Sequence, residues 1–444
     1  MAYWKTLTLL AWAALFAVAA CSRVGDAAQE PDIRISIEQR ADGALDLSYT
    51  LLSARARLDL GPSLGGYRAA SWRVETPGLS INSEAGRDYL VASEGKGFRE
   101  ARITVLPYKN NFAKQYEPVA SLSGGAVIYT GHFWPWEGKG KRLAASFDFI
   151  PASGAHAAAF GETTDTFTEW SSPFHHPAFV YLGAVTPLKL GATAAVIDPS
   201  APDWVADALI EDAQGIFDGL AKAFGRKLDA PPDLFLIMDG EDEPGRLRYS
   251  GDALPGQIEI RLSGGGWKED GTKAREILLE ATAHEAAHLW QLAIRPSAAG
   301  APDWIHEGGA DAIAAELIEG GPEEAGPLAE ERAACRAALG GRSLAEAEAR
   351  GEWRASYDCG HVLAVIAAKA VTGGDVAAFW RAFIDRAEAS GGYDEGLFLS
   401  MIEEKAGKEF ADAVGRFPRT AYAAPDKELA ALLAGADGTG AANR

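Results

Sequence analysis

Positive charge is in short supply in this chain. Against 62 acidic residues it carries 42 basic ones, a formal net charge of −20. No run of lysine or arginine interrupts that surface, which repels phosphate backbones and excludes nucleic acid as a partner. Cysteine is scarcer: of 3 in 444 residues one stands at Cys21, so the rest of the chain can form at most the single pair Cys335–Cys359. An oxidising compartment permits that disulfide, but the sequence does not show whether the two Cα atoms come close enough, and the pairing stays open. There is no internal repeat. The apolar stretch from Leu7 to Ala20 is too short to span a bilayer comfortably. Histidine is also rare, 8 in the whole chain, which gives weight to any pair at helical spacing.

What is present falls into blocks. Lys5 precedes the apolar stretch, which ends Val18-Ala19-Ala20-Cys21 and resembles a bacterial lipobox, where the cysteine is lipidated and becomes the new N-terminus. Residues 1–21 therefore read as a signal peptide with a lipobox-like end, with a plain secretory signal or an uncleaved anchor as alternatives. Each predicts export, with a periplasm-facing lipoprotein as the leading expectation. Residues 22–31 are small and polar, a tether. From 32 to 185 the hydrophobic period is two: Ile33, Ile35 and Ile37, then Leu45, Leu47, Tyr49 and Leu51, with Asp42-Gly43 between them as a hairpin signal. An N-terminal β-sandwich is expected there. From about 200 the period becomes helical, with Asp203 as the expected cap of the first helix. The predicted fold class is α+β and multidomain: the β-sandwich, a catalytic domain over 195–320, a mostly helical region over 321–434 that completes the active site, and a disordered tail over 435–444.

The chemistry concentrates in "TAHEAAHLWQ", residues 282–291. His284 and His288, at i and i+4, share a helical face and can reach one ion, with Glu285 placed to take a proton from an attacking water. With 8 histidines in 444 residues, a chance HExxH arises roughly 0.01 times. A zinc site needs a third protein ligand. One known spacing requires Gly at 291 and His at 294; the chain has Gln291 and Ile294. The other places a glutamate on a following helix, and "PDWIHEGGADAIAAELIE" supplies Glu307, with Asp311 one turn later to orient a ligand imidazole. Gly308 and Gly309 each cost about 1 kcal/mol inside a helix; they imply that this helix closely approaches the one bearing the histidines.

HExxH, eighteen residues and then Glu307 within Trp304-x-x-Glu307-Gly308-x-Ala310 resembles the gluzincin clan of zinc metallopeptidases, in particular the aminopeptidase N and glycyl aminopeptidase types. The resemblance implies a thermolysin-like zincin catalytic domain, one Zn2+ per chain on His284, His288 and Glu307, Glu285 as general base, and a peptide or unfolded protein as substrate. It also implies a catalytic tyrosine: "SYDCGHVLAVIAA" places Tyr357 and Gly360 where the family has them, with Cys359 in place of its lysine. The family's Gly-x-Met-Glu-Asn segment, whose glutamate holds a substrate amine, is missing; "YSGDALPG" stands in its place before the strand "GQIEIRL". Gln257 and Glu259 on that strand become candidate substrate contacts, and its edge is expected to pair with an extended peptide. The Gly-Asn that follows the family's histidine helix is Leu292-Ala293 here. Exo- and endopeptidase action are both left open.

His361, one turn after Tyr357, is a further candidate for substrate contact. His175 and His176, adjacent in an extended segment, point to opposite sides and suit loop packing better than one metal. Two other functions fit the same sequence, a non-catalytic envelope protein that binds peptides or scaffolds a complex, and a zinc hydrolase of a non-peptide substrate.

Overall fold

A computed structural model describes residues 30–108, 115–138, 140–240, 243–297, 300–319 and 328–442. The signal peptide, Cys21 and nearly all of the tether lie outside them.

The hairpin signal at Asp42-Gly43 sits between strands Ile33–Gln39 and Leu45–Arg55, which pair antiparallel with Ile37 opposite Leu47. Their alternation buries Ile33, Ile35, Ile37, Leu45, Leu47 and Tyr49 against Leu58, Leu60, Phe147 and Phe149. Among the described residues the N-terminal domain contains three sheets, of six, five and five strands, where a two-sheet sandwich was expected. The third exists because strands Gly125–Tyr129 and Phe179–Gly183 bury residues on both faces. Ile128, Val180 and Leu182 face the domain's own core, while Val127, Phe179 and Tyr181 pack on Val196, Phe235, Ile237 and Leu254 of the next sheet. Alternate residues thus weld the two domains together.

That next sheet begins at Leu188, ahead of the expected boundary at 195, and orders its strands Leu188–Leu190, Thr193–Ile197, Asp233–Met238, Gln257–Ser263 and Arg248–Leu254. Gln257–Ser263 is therefore interior, parallel to Asp233–Met238 on one side and antiparallel to Arg248–Leu254 on the other. Among the described residues the edge on this side of the sheet is Arg248–Leu254, the other being Leu188–Leu190, which corrects the expectation that "GQIEIRL" would offer an edge.

Helix Asp203–Phe224 buries Trp204, Ala208, Leu209, Ile216, Leu220 and Phe224. Asp203 sits inside its first turn and makes no side-chain cap. From residue 303 the described chain is almost entirely helical, and one large core joins these helices to the sheet. The last helix, Pro425–Ala442, runs into the stretch expected to be a disordered tail. Leu429, Leu433 and Ala436 form a buried stripe along it, and that packing outweighs the helix-weakening glycines. Among the described residues no single helix is long and apolar enough to cross a membrane.

Candidate active site

Four elements converge. The histidine helix, Thr272–Gln291, carries His284, Glu285 and His288, all buried. The glutamate helix, Asp303–Glu319, carries Glu307 and Asp311. The tyrosine helix, Arg354–Thr372, carries Tyr357 and His361. The edge strand Arg248–Leu254 closes the group.

Glycine sets how closely they meet. A Cβ on Gly308 would lie 2.1 Å from the carbonyl carbon of Gly360, and a Cβ on Gly360 would lie 2.3 Å from the carbonyl oxygen of Trp304. The glutamate helix therefore crosses the tyrosine helix backbone to backbone, while Gly309 makes room for the Trp380 indole. The close approach predicted from the glycine pair is real, but its partner is the tyrosine helix. Glu307 immediately precedes Gly308 and Tyr357 lies one turn before Gly360, so this crossing brings the carboxylate and the phenol together.

The imidazoles are oriented from behind. His284 donates from Nδ1 to Asp311 Oδ1 at 2.6 Å, and His288 donates from Nδ1 to Gln291 Oε1 at 2.7 Å. Gln291 also donates to the carbonyl of His306, next to Glu307, at 3.2 Å. Both Nε2 atoms are thereby turned inward, 3.0 Å apart, and each lies 3.5 Å from Glu307 Oε2. Donors about 2.0–2.1 Å from a tetrahedral zinc stand roughly 3.3–3.4 Å from one another, so the three atoms fit that ion. The electrostatics agree. Burial opposes charge on His284, yet Asp311, joined by Glu307, lifts its pKa well above the ordinary histidine value. His288 is pushed down, by burial first and by its cationic neighbour. Two imidazole nitrogens and a carboxylate oxygen gathered at one point form a donor set that suits a bound cation.

Glu285 lies against the edge strand, where a Cβ on Gly251 would come within 2.3 Å of Oε1. Tyr357 stacks on His284 with ring centroids 5.7 Å apart. Its phenol hydrogen-bonds Glu307; burial first, then the charges of Glu307 and Glu285, raise its pKa well above the usual tyrosine range, so it stays a donor. Tyr357, His361, Asp311 and Tyr249 line a cavity of about 270 Å³.

Cys335 and Cys359 form a disulfide, S–S 2.07 Å, settling the open pairing. It ties helix Ala329–Leu339 to the tyrosine helix two residues beyond Tyr357.

Two expected substrate contacts are corrected. Gln257 is fully buried, accepting from the Phe179 amide and donating to the Phe179 carbonyl, at 2.7 and 2.8 Å, so it serves the junction between the domains. Glu259 is buried against Arg261, which also pairs with Glu117 at 2.5 Å. His176 accepts from Arg295 at 2.7 Å, a packing role. Sequence reasoning missed Gly251 and Gln291. Gln291 follows His288 at i+3, a spacing that puts both on one face, and an isolated glycine in a strand signals close approach.

No protein-family model and no curated protein matches the chain. Solved structures do. The aminopeptidase N family protein of Idiomarina loihiensis superposes with a TM-score of 0.62 at 10% identity, covering 88% of this chain and 76% of that one. The M1 zinc metallopeptidase of Deinococcus radiodurans gives 0.49 at 14% identity, over 89% and 94% of the two chains. Yeast LTA4 hydrolase gives 0.49 at 11% identity, over 86% and 66%. The first of these shows that the two chains share a fold.

Proposed function

We propose that this protein is a zinc-dependent peptide hydrolase with a thermolysin-like catalytic domain. The observation that carries the proposal is the convergence of His284, His288 and Glu307 on one point, with Glu285 and Tyr357 in the same cluster. One zinc ion per chain held there would polarise the scissile carbonyl and acidify the attacking water.

The chain's own residues supply the rest. Glu285, fixed between its helix and Gly251, takes the proton of the attacking water and passes it to the leaving amine. Tyr357, kept protonated, donates a hydrogen bond to the carbonyl oxygen as negative charge develops. Asp311 and Gln291 hold the two imidazoles in the tautomer that leaves Nε2 free. The free edge of Arg248–Leu254 offers backbone groups to an extended substrate, favouring flexible or unfolded peptides.

Export and lipidation at Cys21 are part of the same proposal. The Cys335–Cys359 disulfide, buried in the catalytic core, suits an oxidising compartment such as the periplasm. Cys21→Ala should move the protein from the membrane to the soluble fraction of its host.

The decisive test pairs metal analysis with cleavage of a mixed-peptide library. Wild type should hold one zinc and cleave; Glu285→Ala should hold one zinc and lose about 10²–10⁴ of its turnover. Unchanged turnover in Glu285→Ala would refute the mechanism, and zinc without cleavage in wild type would transfer the site to a non-peptide substrate or a binding role.

A further inference from the structure

The edge strand is joined to its neighbour by a hairpin of two residues, Pro255-Gly256, with Leu254 opposite Gln257. A two-residue loop is closed by a hydrogen-bonded pair, and antiparallel pairs alternate from there. Ala253, Gly251 and Tyr249 are therefore the non-hydrogen-bonded positions, whose amides and carbonyls point away from the sheet toward the free edge. Gly251, in the middle, is the residue against Glu285. A peptide strand added to this edge would use these three positions.

One of them is already taken. The hydroxyl of Tyr116, from the N-terminal domain, donates to the carbonyl of Ala253 at 3.2 Å. Tyr116 is held from several directions. Its carbonyl accepts from His132 Nε2 at 2.7 Å, and its ring packs on Tyr129 with centroids 4.4 Å apart and on Phe179 at 6.0 Å. The next residue, Glu117, is paired with Arg261 of the sheet's interior strand at 2.5 Å.

We propose that Tyr116 is a specificity-determining residue that caps the edge strand at Ala253, so that a bound peptide pairs freely only from Gly251 toward Tyr249. This rests on the peptide-hydrolase reading. The fragment lying toward Ala253 is then limited to what fits between Gly251 and the Tyr116 ring, while the fragment on the Tyr249 side is not. Pairing advances by two residues per outward-facing position, so freeing Ala253 lengthens the capped fragment in a step of two.

The experiment compares wild type, Tyr116→Phe and Tyr116→Ala on a mixed-peptide library, with product lengths from mass spectrometry and zinc content for each protein. Wild type should release one short fragment of narrow length range from every peptide. Tyr116→Ala should add fragments about two residues longer. Tyr116→Phe, which keeps the ring and loses only the hydroxyl, should keep the wild-type fragment lengths. Fragment lengths in zinc-loaded Tyr116→Ala identical to those of wild type would overturn the cap and leave the peptide-hydrolase reading standing. Zinc-loaded wild type that cleaves no peptide would overturn that reading, and the cap with it.

Discussion

Gly251→Ala isolates the placement of the general base from everything else in the site. The added methyl would sit 2.3 Å from Glu285 Oε1 and 2.5 Å from both Cδ and Cγ, whereas ordinary contact is about 3.5 Å. The carboxylate must therefore move by roughly 1 Å, and a misplacement of that size costs on the order of 100-fold in rate. In barrier terms this is about 2.7 kcal/mol, at the lower end of the loss from deleting the base. The fold should not suffer. Gly251 is not among the positive-φ residues, and alanine in a strand interior costs less backbone entropy than glycine. Zinc should be retained, since the atoms nearest the new methyl all belong to Glu285, which is not a ligand. The assay is kcat on a cleaved library peptide, beside zinc content and a thermal melt. An intact melt, one zinc and a kcat reduced about 100-fold are expected. A kcat within twofold of wild type would refute the placement of Glu285 against the edge strand.

Gly308→Ala should behave in the opposite way. Its methyl meets the Gly360 backbone at 2.1 Å, where no rotamer offers escape; a loss of about 3 kcal/mol in denaturant titration is expected, with weaker zinc retention against a chelator because Glu307 moves with the helix. Replacing Cys335 and Cys359 by alanine opens a loop spanning a sequence separation of 24 and should cost about 3 kcal/mol by the chain-entropy estimate, read as a lower melting temperature. His132 should make acid destabilising. Burial first, then Arg68, lower its pKa to about 3, far below the unfolded value of about 6.5. Its contribution to stability is therefore complete above pH 6.5 and is lost as pH falls toward 3, by about 2–3 kcal/mol at pH 4.5. Asp233 works in the other direction: burial lifts its pKa to about 6, so it stabilises the fold as pH falls through that value. The measurement is accordingly the difference between wild type and His132→Asn across pH 4.5–6.5, which should shrink with falling pH; a constant difference would refute the assignment.

The parts of the site that were legible in the sequence are those fixed by spacing along one helix or between two. His284 and His288 must share a face wherever the helix lies, and Glu307 announced itself through the glycines beside it. The errors have a common cause, which is tertiary. In "GQIEIRL" the alternation of Ile258 and Ile260 with Glu259 and Arg261 imitates a strand with one wet face. In the fold those two charges are buried and neutralise each other, with Glu117 completing the set, so an interior strand carries the pattern of an edge. The true edge, "RYSGDAL", shows no such alternation: Tyr249 and Ser250 are both exposed, Gly251 meets the Glu285 carboxylate, and Leu254 is buried at the junction between the domains. The same holds at the far end of the chain, where the terminal position of 435–444 suggested disorder and the buried stripe through Leu433 and Ala436 decided for helix. A charged residue in a strand therefore reports exposure only when no opposite charge stands two residues away. Here that pair, Glu259 and Arg261, also anchors Glu117 next to Tyr116. The feature that disguised the interior strand thus helps to hold the tyrosine at Ala253, on the edge beside it.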